Sequence, residues 1–361
     1  MWLQVTALKL TQYKNYFHEE FFFDAPVVGI CGRNGVGKTN LLDAIHYLCF
    51  TKSYFSRTDL QVVQHGHQGF RIEGAVRYRN ETEKVVCVLR ENGRKEFSLN
   101  DVAYTRFSQH IGRYPCVVIA PDDVQLVIGA PEDRRRFLDT LLSQLDAGYL
   151  QHLIRYNKLL QQRNFFLRHY REGIGSADLS VLDVLDEQLV VEGTAIATKR
   201  QQFLIRFLPQ VTAAYTEIAR RFEPIKIVYD SELITQNLSA MLAENRSRDL
   251  FLQRTTAGPH RDDLSFMMGE QPFKNIASQG QRKSLLFALK LCELQTIQAQ
   301  KNLRPILLLD DVFEKLDEER ITNLLQTVIN QEGQVFITDT SCSRLQSKIE
   351  SLAAPFQMVS L

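Results

Sequence analysis

The sequence predicts an α/β fold in which a mixed α/β domain with an antiparallel β region is split by an inserted, all-helical arm. Three observations predict this class. Apolar runs at 27–31, 115–120 and 305–309 have the length and composition of buried strands. Residues 70–99 alternate between apolar and polar side chains, as in an antiparallel sheet with one exposed face. Residues 132–222 instead show helical spacing.

The overall composition indicates a folded protein with no membrane-spanning segment. The 361 residues, of which 44% are hydrophobic, allow two or three domains with sizeable cores. Lys and Arg number 43 against 42 Asp and Glu, so the net charge of +1 excludes a globally basic nucleic-acid binder but permits a local basic patch. No apolar window approaches ~20 residues and the N-terminus lacks a signal-peptide pattern, so we expect a soluble cytoplasmic protein without a membrane partner.

The cysteines favour neither a metal site nor a redox motif. They occur at positions 31, 49, 87, 116, 292 and 342. No two are close enough in sequence for a Cys-x-x-Cys unit. We therefore expect reduced, mostly buried thiols, as in cytosolic proteins.

Turn signals divide the β region and the helical region. Asn92-Gly93 lies between two alternating runs and predicts a hairpin with a type I′ turn. The helices are expected to break at the Gly-Ile-Gly-Ser run that starts at Gly173, at Gly193 and at Pro209.

The α/β pattern returns towards the end of the chain. The elements expected there are a strand at 225–229, a helix at 278–298, a strand at 305–309, a helix at 317–330 and a strand at 334–337. The predicted division is a head domain in two parts, 1–137 and 256–361, with a helical arm at 138–255. The arm is too short for a long coiled coil and fits a compact lever or clamp.

Residues 32–39 read Gly-Arg-Asn-Gly-Val-Gly-Lys-Thr and fit the phosphate-loop pattern G-x-x-x-x-G-K-[ST]. A strand before this run and a helix at 39–50 after it supply the required context. The glycines let main-chain N–H groups surround a triphosphate, Lys38 reaches the β- and γ-phosphates, and the Thr39 hydroxyl binds Mg²⁺. A structural glycine turn with an incidental lysine is the alternative. The predicted nucleotide-binding residues are Gly32, Arg33, Asn34, Gly35, Val36, Gly37, Lys38, Thr39 and Asn40.

A second apolar strand, Ile306-Leu-Leu-Leu, ends in Asp310 and Asp311. A phosphate loop needs a carboxylate for its metal, and Asp310 is predicted to hold Mg²⁺ directly or through water. Asp311 is then placed to orient or deprotonate the attacking water, so Asp311 and Lys38 are the predicted catalytic residues. Strand-end acids that only cap the next helix are the alternative. These elements lie at opposite ends of the chain, and the site is assembled from both.

Ser278, Gly280 and Gln281 open the long helix and resemble the signature motif of ABC-type ATPases. A hydroxyl, a close-approach glycine and free helix N–H groups make a second anion site, and an ordinary N-cap serine is the alternative. In that superfamily the signature of one subunit closes over the ATP of the other, so the resemblance implies an ATP-dependent two-fold homodimer. Gln125 is either a nucleotide-binding Q-loop residue or a solvated loop glutamine.

The motifs together resemble the RecF family of bacterial recombination mediator ATPases, which is related to the heads of SMC proteins and of double-strand-break repair ATPases. The matching runs are LKLTQYKNY (8–16), GRNGVGKTNLLDAI (32–45), APDDVQLVIGAPEDRRRFLD (120–139), TAGPHRDDL (256–264), ASQGQRKSLLFALKLCE (277–293) and LLLDDVFEKLD (307–317). The Pro-Glu-Asp-Arg-Arg-Arg and Gly-Pro-His-Arg-Asp-Asp runs separate this family from transporters and from other SMC heads. The resemblance implies an ABC/SMC-type P-loop ATPase head.

The sequence departs from the family pattern at several positions. Lys14 replaces the usual arginine of the opening run, Glu314 stands where a small residue is common in the D-loop (314–317), and Lys283 and Ser284 alter the residues after the signature. The strand at 334–337 is followed by Thr-Asp-Thr, without the switch histidine of transporters. Thr338 or Asp339 is the candidate for the γ-phosphate contact in its place.

The resemblance implies an ATP-dependent DNA-binding protein of replication and recombinational repair, with ATP and Mg²⁺ as cofactors. It implies that ATP binding drives dimerisation on DNA at gaps or stalled forks, and that weak, DNA-stimulated hydrolysis releases the DNA. The implied partners are single-stranded DNA, gapped or junction duplex DNA and RecR; the implied roles are recombinase loading in homologous recombination and support of the SOS response. The alternative is an ABC-type ATPase subunit of another assembly without DNA binding.

One local feature favours DNA binding without the resemblance. Residues 151–171 contain five basic residues and no acid, namely Arg155, Lys158, Arg163, Arg168 and Arg171. Such residues neutralise phosphates without reading sequence. At ~100° per residue they spread round a helix, and a solvated helix whose aromatic residues pack the core is the alternative. Arg134, Arg135 and Arg136 form a second candidate patch, which we expect to make an arm-to-head contact or an intersubunit salt bridge.

Overall fold

The computed structural model describes residues 3–171, 179–219, 223–311, 326, 333–351 and 354–361. The chain divides into two compact units. Unit 1 comprises Met1–Asp123 and Leu289–Leu361, and unit 2 comprises Val124–Ala288. The two boundaries therefore lie elsewhere than the 137/138 and 255/256 divisions predicted from the sequence.

Unit 1 contains two sheets. The strands of the first sheet are β1 (Leu3–Tyr13), β2 (Tyr16–Phe22), β4 (Phe70–Tyr78), β5 (Glu81–Leu89), β6 (Lys95–Leu99) and β7 (Val102–Ala103). The strands of the second sheet are β3 (Val27–Cys31), β8 (Cys116–Ile119), β12 (Ile306–Leu309), β13 (Val335–Asp339) and β14 (Phe356–Ser360). The first sheet is antiparallel, in the order β2-β1-β4-β5-β6-β7, and the second is parallel, in the order β14-β3-β13-β12-β8. Helix α1 (Lys38–Phe50) and a later helix, Cys342–Glu350, also belong to this unit.

The parallel sheet positions the predicted site. Every residue of β3, β12 and β13 is buried, which is typical of parallel strands covered on both faces. In the sheet, β13 lies between β3 and β12. Since the strands are parallel, the phosphate loop after β3, the aspartates after β12 and the end of β13 all lie at one edge.

The antiparallel sheet confirms the predicted hairpin but not its turn type. Strands β5 and β6 pair from Leu89↔Lys95 to Val85↔Leu99. Positive φ occurs at Gly93 (77°) and not at Asn92, whereas a type I′ turn requires it at both central residues. The connection from Arg90 to Arg94 is longer than two residues, which removes the need for left-handed backbone at Asn92.

The expectation of six reduced cysteines is wrong for two of them. Cys31, at the end of β3, forms a disulfide with Cys342, and their Cα atoms are 5.1 Å apart. The pair is separated by 311 residues in sequence, so no spacing pattern indicates it. The buried free thiols are those of Cys49, Cys87, Cys116 and Cys292.

Unit 2 combines helices with a small sheet. Its elements are α2 (Gln125–Ile128), α3 (Pro131–Leu145), α4 (Ala147–Arg171), α5 (Ser180–Ala219), β9 (Ile225–Asp230), α6 (Leu238–Leu252), β10 (Asp263–Met268), β11 (Gln271–Pro272) and α7 (Phe273–Ile276). Helix α8 (Gln279–Lys301) begins in unit 2 and ends in unit 1, and the helix Cys342–Glu350 is α9.

The small sheet explains why the boundary moves and why the arm is not all-helical. Strands β9 and β10 pair antiparallel from Asp263↔Asp230 to Met268↔Ile225. Helix α3 packs against β10 and helix α5 against β9. Main-chain hydrogen bonds therefore hold β10, which follows residue 255, to β9, which lies inside the predicted arm. The strand predicted at 225–229 is confirmed as β9.

Helices α4 and α5 pack antiparallel, since Tyr149 contacts Arg200 while Arg163 contacts Asp186. Helix α5 runs for 40 residues through both Gly193 and Pro209, where breaks were predicted. Gly193 permits close packing, because a Cβ there would lie 2.6 Å from Leu238 Cδ2. None of the helices in the described part of the chain is long and apolar enough to span a bilayer.

Candidate functional site

The phosphate loop connects β3 to α1 and has the backbone that its glycines allow. Gly35 and Gly37 have φ values of 83° and 116°, in the left-handed region that favours glycine. Helix α1 begins at Lys38 with no side-chain cap and with no acidic residue in its first turn. Its first N–H groups and its dipole therefore favour an anion at this end of the helix.

Lys38 is folded into the loop. Its side chain is 4% exposed, and Nζ donates to the carbonyl oxygens of Gly32 at 2.9 Å and Arg33 at 3.1 Å. A buried ammonium surrounded by the loop that follows β3 is a counter-charge for phosphate.

The turn between β1 and β2, Lys14–Asn15, holds the loop from outside. Asn15 Nδ2 donates to the Val36 carbonyl at 2.8 Å, and Asn40 Nδ2 donates to Asn15 Oδ1 at 2.7 Å. The Tyr16 hydroxyl donates to the Gly37 carbonyl at 3.0 Å. A Cβ on Gly37 would lie 2.4 Å from Asn15 Nδ2, so only glycine fits beneath this turn.

Lys14 anchors the same turn to α1. Its Nζ lies 2.6 Å from Oδ2 of Asp43, whose side chain is fully buried. Asp43 also accepts hydrogen bonds from Tyr13, Ser53 and the main-chain N–H of Tyr54. Burial alone would raise the pKa of Asp43, but Lys14 and the hydrogen bond from Ser53 hold it below its usual value.

Thr39 and Asp310 meet across the sheet edge. The Thr39 hydroxyl lies 2.9 and 3.0 Å from the two carboxylate oxygens of Asp310. Asp310 is 4% exposed, and burial is the main cause that raises its pKa, with Asp311 adding to it. A hydroxyl beside a buried carboxylate is a hard-oxygen donor set that fits Mg²⁺.

The end of β13 uses Thr338 and Asp339 for protein contacts. The Thr338 hydroxyl lies 2.9 Å from Asp310 Oδ1, and Asp311 N donates to the Thr338 hydroxyl at 2.8 Å. Asp339 instead accepts two hydrogen bonds from Arg344, at 2.9 and 2.6 Å. Each side chain proposed for a γ-phosphate contact is thus bonded within unit 1.

The predicted signature residues lie in unit 2, at the beginning of α8. Gln281 N donates to the Ser278 hydroxyl at 3.2 Å, and Ser278 N donates to Gln281 Oε1 at 2.7 Å. This reciprocal pair is a capping box, so the N-cap role is present. Ser278 is exposed, and Gly280 is half-buried behind it; Gln125 is exposed at the first position of α2. The predicted D-loop, 314–317, and helix, 317–330, lie outside the described residues except for residue 326.

The basic residues of α4 divide into two groups. Arg163 is 0% exposed and donates to Asp186 at 2.5 Å and Asp249 at 2.6 Å, so the prediction that it contacts DNA is wrong. Arg155, Lys158 and Arg168 are exposed. These three lie within an arc of about 140° around the helix. The side chain of Arg171, the fifth basic residue of the predicted patch, lies outside what the structure describes.

The two family-specific runs meet in unit 2 as a buried ionic cluster. Arg134 pairs with Asp263 at 2.7 Å, an intrachain ion pair within unit 2 and not the predicted contact between arm and head or between subunits. Arg200, which is 2% exposed, donates to Asp139 at 2.7 Å and to Asp262 at 2.8 Å. The two runs therefore stabilise the packing of unit 2.

Sequence reasoning missed Asn15, Tyr16 and Asp43 as residues of the site. Asn15 and Tyr16 lay inside the opening run that drew attention only to Lys14. Their contacts with the loop become apparent once β1 and β2 are known to pair as a hairpin, ending at Tyr13↔Tyr16.

The chain is similar to known proteins along its whole length. The family model described as RecF/RecN/SMC N terminal domain matches residues 4–357. The DNA replication and repair protein RecF of Flavobacterium johnsoniae is 38% identical over 360 residues, which is 99% of this chain and 100% of that protein. The protein of the same description in Cytophaga hutchinsonii is 37% identical over 357 residues, or 99% and 94%. The solved recombination mediator protein RecF-ATP of the RecFOR pathway superposes with a TM-score of 0.87 at 28% identity, over 94% of this chain and 93% of that one.

Proposed function

We propose that this chain, which belongs to the RecF family of the RecF/RecN/SMC proteins, is an ATP-dependent DNA-binding protein of replication and recombinational repair. The observation that carries the proposal is the Thr39–Asp310 contact at 2.9 Å, which joins the phosphate loop to the carboxylate strand. The relatives that align throughout are DNA replication and repair proteins, and a solved relative is a RecF-ATP structure.

The chemistry proposed for the site is ATP hydrolysis to ADP and phosphate. Lys38 and the N–H groups of the loop hold the phosphates, and Thr39 and Asp310 hold Mg²⁺. When bound, Mg²⁺ neutralises charge that develops on the phosphate oxygens. Asp311 orients the attacking water or accepts its proton.

The protein acts as a nucleotide switch in this proposal. The exposed Ser278 and the adjoining Gly280 and Gln281 of one copy close over the ATP held by a second copy. ATP binding therefore favours a two-fold dimer on DNA, and slow, DNA-stimulated hydrolysis reopens it. The exposed position of Ser278 at the beginning of α8 supports this role, whereas the capping box is what an ordinary N-cap serine also makes.

Single-stranded DNA and gapped or junction duplex DNA are the proposed partners, with RecR as a protein partner in the cytoplasm. Exposed Arg155, Lys158 and Arg168 support phosphate contacts along α4. The proposed outcome at gaps or stalled forks is recombinase loading, with support of the SOS response.

Sedimentation velocity tests the switch. The full chain carrying Asp311→Asn is run with and without ATP·Mg²⁺ and a gapped DNA, with wild type alongside. We expect ATP to convert monomer to dimer and DNA to sediment only with the dimer. A monomer that binds ATP and ignores DNA would contradict the proposal and favour an ABC-type subunit of another assembly.

Charge reversal on α4 tests the DNA contact separately. A variant with Glu at Arg155, Lys158 and Arg168 is compared with a control that carries Glu at the exposed unit 2 residues Lys226, Arg248 and Lys274. If the α4 residues contact phosphates, the salt slope of DNA affinity falls by about 2–3 in the first variant, because each contact contributes ~0.9. Equal slopes in both variants would exclude α4 as the DNA surface.

A further inference from the structure

Thr338 lies in β13, and its hydroxyl contacts both of the aspartates that follow β12. It is the last residue but one of β13, and it pairs in register with Ile30 of β3. On the other side of β13 lies β12, which ends immediately before Asp310. The side chain of Thr338 is 0% exposed, so its hydroxyl must find partners within the protein.

The hydrogen bonds of this hydroxyl determine what it is free to do. A threonine hydroxyl has one hydrogen to donate, and Asp310 Oδ1 at 2.9 Å is the closer of its two carboxylate neighbours. Asp311 Oδ1 lies at 3.5 Å, the limit of a hydrogen bond. As an acceptor, the hydroxyl receives the main-chain N–H of Asp311 at 2.8 Å. A phosphate oxygen needs a donor, and the single hydrogen of Thr338 is already used.

The Asp311 main chain is the second element that Thr338 fixes. Asp311 has φ of 41°, a left-handed conformation that is uncommon for a residue with a side chain. The hydrogen bond from Asp311 N to Thr338 is therefore made at a residue in a costly backbone conformation, which it helps to hold. The direction in which the Asp311 carboxylate leaves the chain depends on this conformation.

We propose that Thr338 is a positioning residue for ATP hydrolysis: its hydroxyl orients the Asp310 carboxylate and holds the Asp311 main chain, without contacting the nucleotide. The inference rests on the proposed ATPase function and adds a role for β13 to it. Thr39, Asp310, Thr338 and Asp311 form one continuous series of hydrogen bonds across three structural elements.

The geometry predicts that removal of the Thr338 hydroxyl lowers the rate of catalysis and leaves nucleotide affinity nearly unchanged. Lys38 donates to carbonyls within the phosphate loop, and Asn15 holds that loop from outside. Neither contact involves Thr338. Loss of the hydroxyl therefore leaves these loop contacts in place and removes the hydrogen bonds that Thr338 makes with the two aspartates.

The experiment compares Thr338→Val, which keeps the shape and loses the hydroxyl, with Thr338→Ser, which keeps the hydroxyl. Thr6→Val is the matched control, because it removes a hydroxyl that donates to Ala75 O at 3.1 Å in the antiparallel sheet. For each full chain we measure kcat and KM for ATP, equilibrium affinity for a fluorescent ATP analogue with Mg²⁺, and hydrogen exchange of the peptide that contains 306–311. Thr338→Ala replaces the Val variant if that variant does not fold.

We expect kcat of Thr338→Val to fall roughly ten- to hundredfold, the effect of one lost hydrogen bond to a charged group, with affinity within about threefold of wild type. Exchange at 306–311 should rise, and Thr338→Ser and Thr6→Val should resemble wild type in all readouts. Unchanged kcat in Thr338→Val, or a parallel loss of kcat and affinity, overturns the inference. A wild-type chain without ATPase activity overturns the proposed function itself, and the inference with it.

Discussion

Asn15 provides a test of whether the phosphate loop depends on support from the antiparallel sheet. Asn15→Ala removes two hydrogen bonds, one to the Val36 carbonyl at 2.8 Å and one from Asn40 at 2.7 Å. Each neutral hydrogen bond contributes about 0.5–1.5 kcal/mol, and because Asn15 is exposed, water replaces part of it. We therefore take a total loss of about 1–2 kcal/mol.

This free energy should appear in nucleotide affinity. An unsupported loop must be ordered when ATP binds, so the cost is subtracted from the binding free energy. At 1.4 kcal/mol for each factor of ten, Kd for ATP should rise roughly 5- to 30-fold in Asn15→Ala. At saturating ATP, kcat should stay within about threefold of wild type, because Asp310 and Asp311 keep their contacts with Thr39 and Thr338.

Titration with a fluorescent ATP analogue and steady-state ATPase assays measure the two quantities. Asn92→Ala is the control, since Asn92 is an exposed turn residue of the same sheet whose side chain makes one local hydrogen bond, from Arg94 N at 3.0 Å. If Asn15→Ala binds ATP like the control, the turn does not support the loop and our reasoning about Gly37 and Asn15 is wrong. A loss of kcat with unchanged affinity would contradict it equally.

Three further predictions concern stability. Arg200→Met should destabilise unit 2 by about 3–5 kcal/mol in urea unfolding, because it leaves the carboxylates of Asp139 and Asp262 without their cation. A loss below about 1 kcal/mol would show that unit 2 does not need this ionic cluster. Burial lowers the pKa of His110 to about 4, below its usual 6.5, so the neutral imidazole is favoured in the folded state. The contribution of His110 to stability is therefore present above pH 6.5 and is lost as the pH falls towards 4. In His110→Gln, the slope of unfolding free energy against pH near pH 5 should decrease by about 1.4 kcal/mol per pH unit. Cys342→Ser should lower the stability of unit 1 under oxidising conditions by up to about 6 kcal/mol, the chain-entropy value for a 311-residue loop. Two controls, Cys292→Ser and the wild-type protein in reductant, distinguish the effect of losing the disulfide from the effect of losing a thiol.

The parts of the fold that the sequence predicts well are those with local signals. The strand at 27–31, the loop at 32–39 and the helix at 39–50 appear as β3, the phosphate loop and α1 (Lys38–Phe50). Apolar runs that end in turn residues or acids likewise predict β8 and β12. In each case the pattern and the chemistry lie within a dozen consecutive residues, so tertiary contacts do not alter the outcome.

The parts that sequence reasoning missed depend on contacts between distant segments. Arg163 and Arg168 have the same side-chain chemistry, and only the packing of α4 against Asp186 and Asp249 turns Arg163 inward. Gly193 signals a break locally, but it lies inside the continuous helix α5, where the lack of a side chain allows the close approach of Leu238. Cys31 and Cys342 meet because β3 and β13 are neighbours in the sheet, which no spacing rule conveys.

The place of β3 in the parallel sheet has a consequence for synthesis of the protein. Both hydrogen-bonding neighbours of β3, β13 (Val335–Asp339) and β14 (Phe356–Ser360), come from the last thirty residues of the chain. At 5–20 residues per second, a ribosome needs roughly 15–60 s to deliver β13 after β3 has emerged. The antiparallel sheet is complete by residue 103, so all of its strands have their partners long before β13 is made. The nascent chain therefore carries an apolar strand and a phosphate loop without either neighbouring strand until residues 335–339 have been made, so nucleotide binding is acquired after the antiparallel sheet is complete.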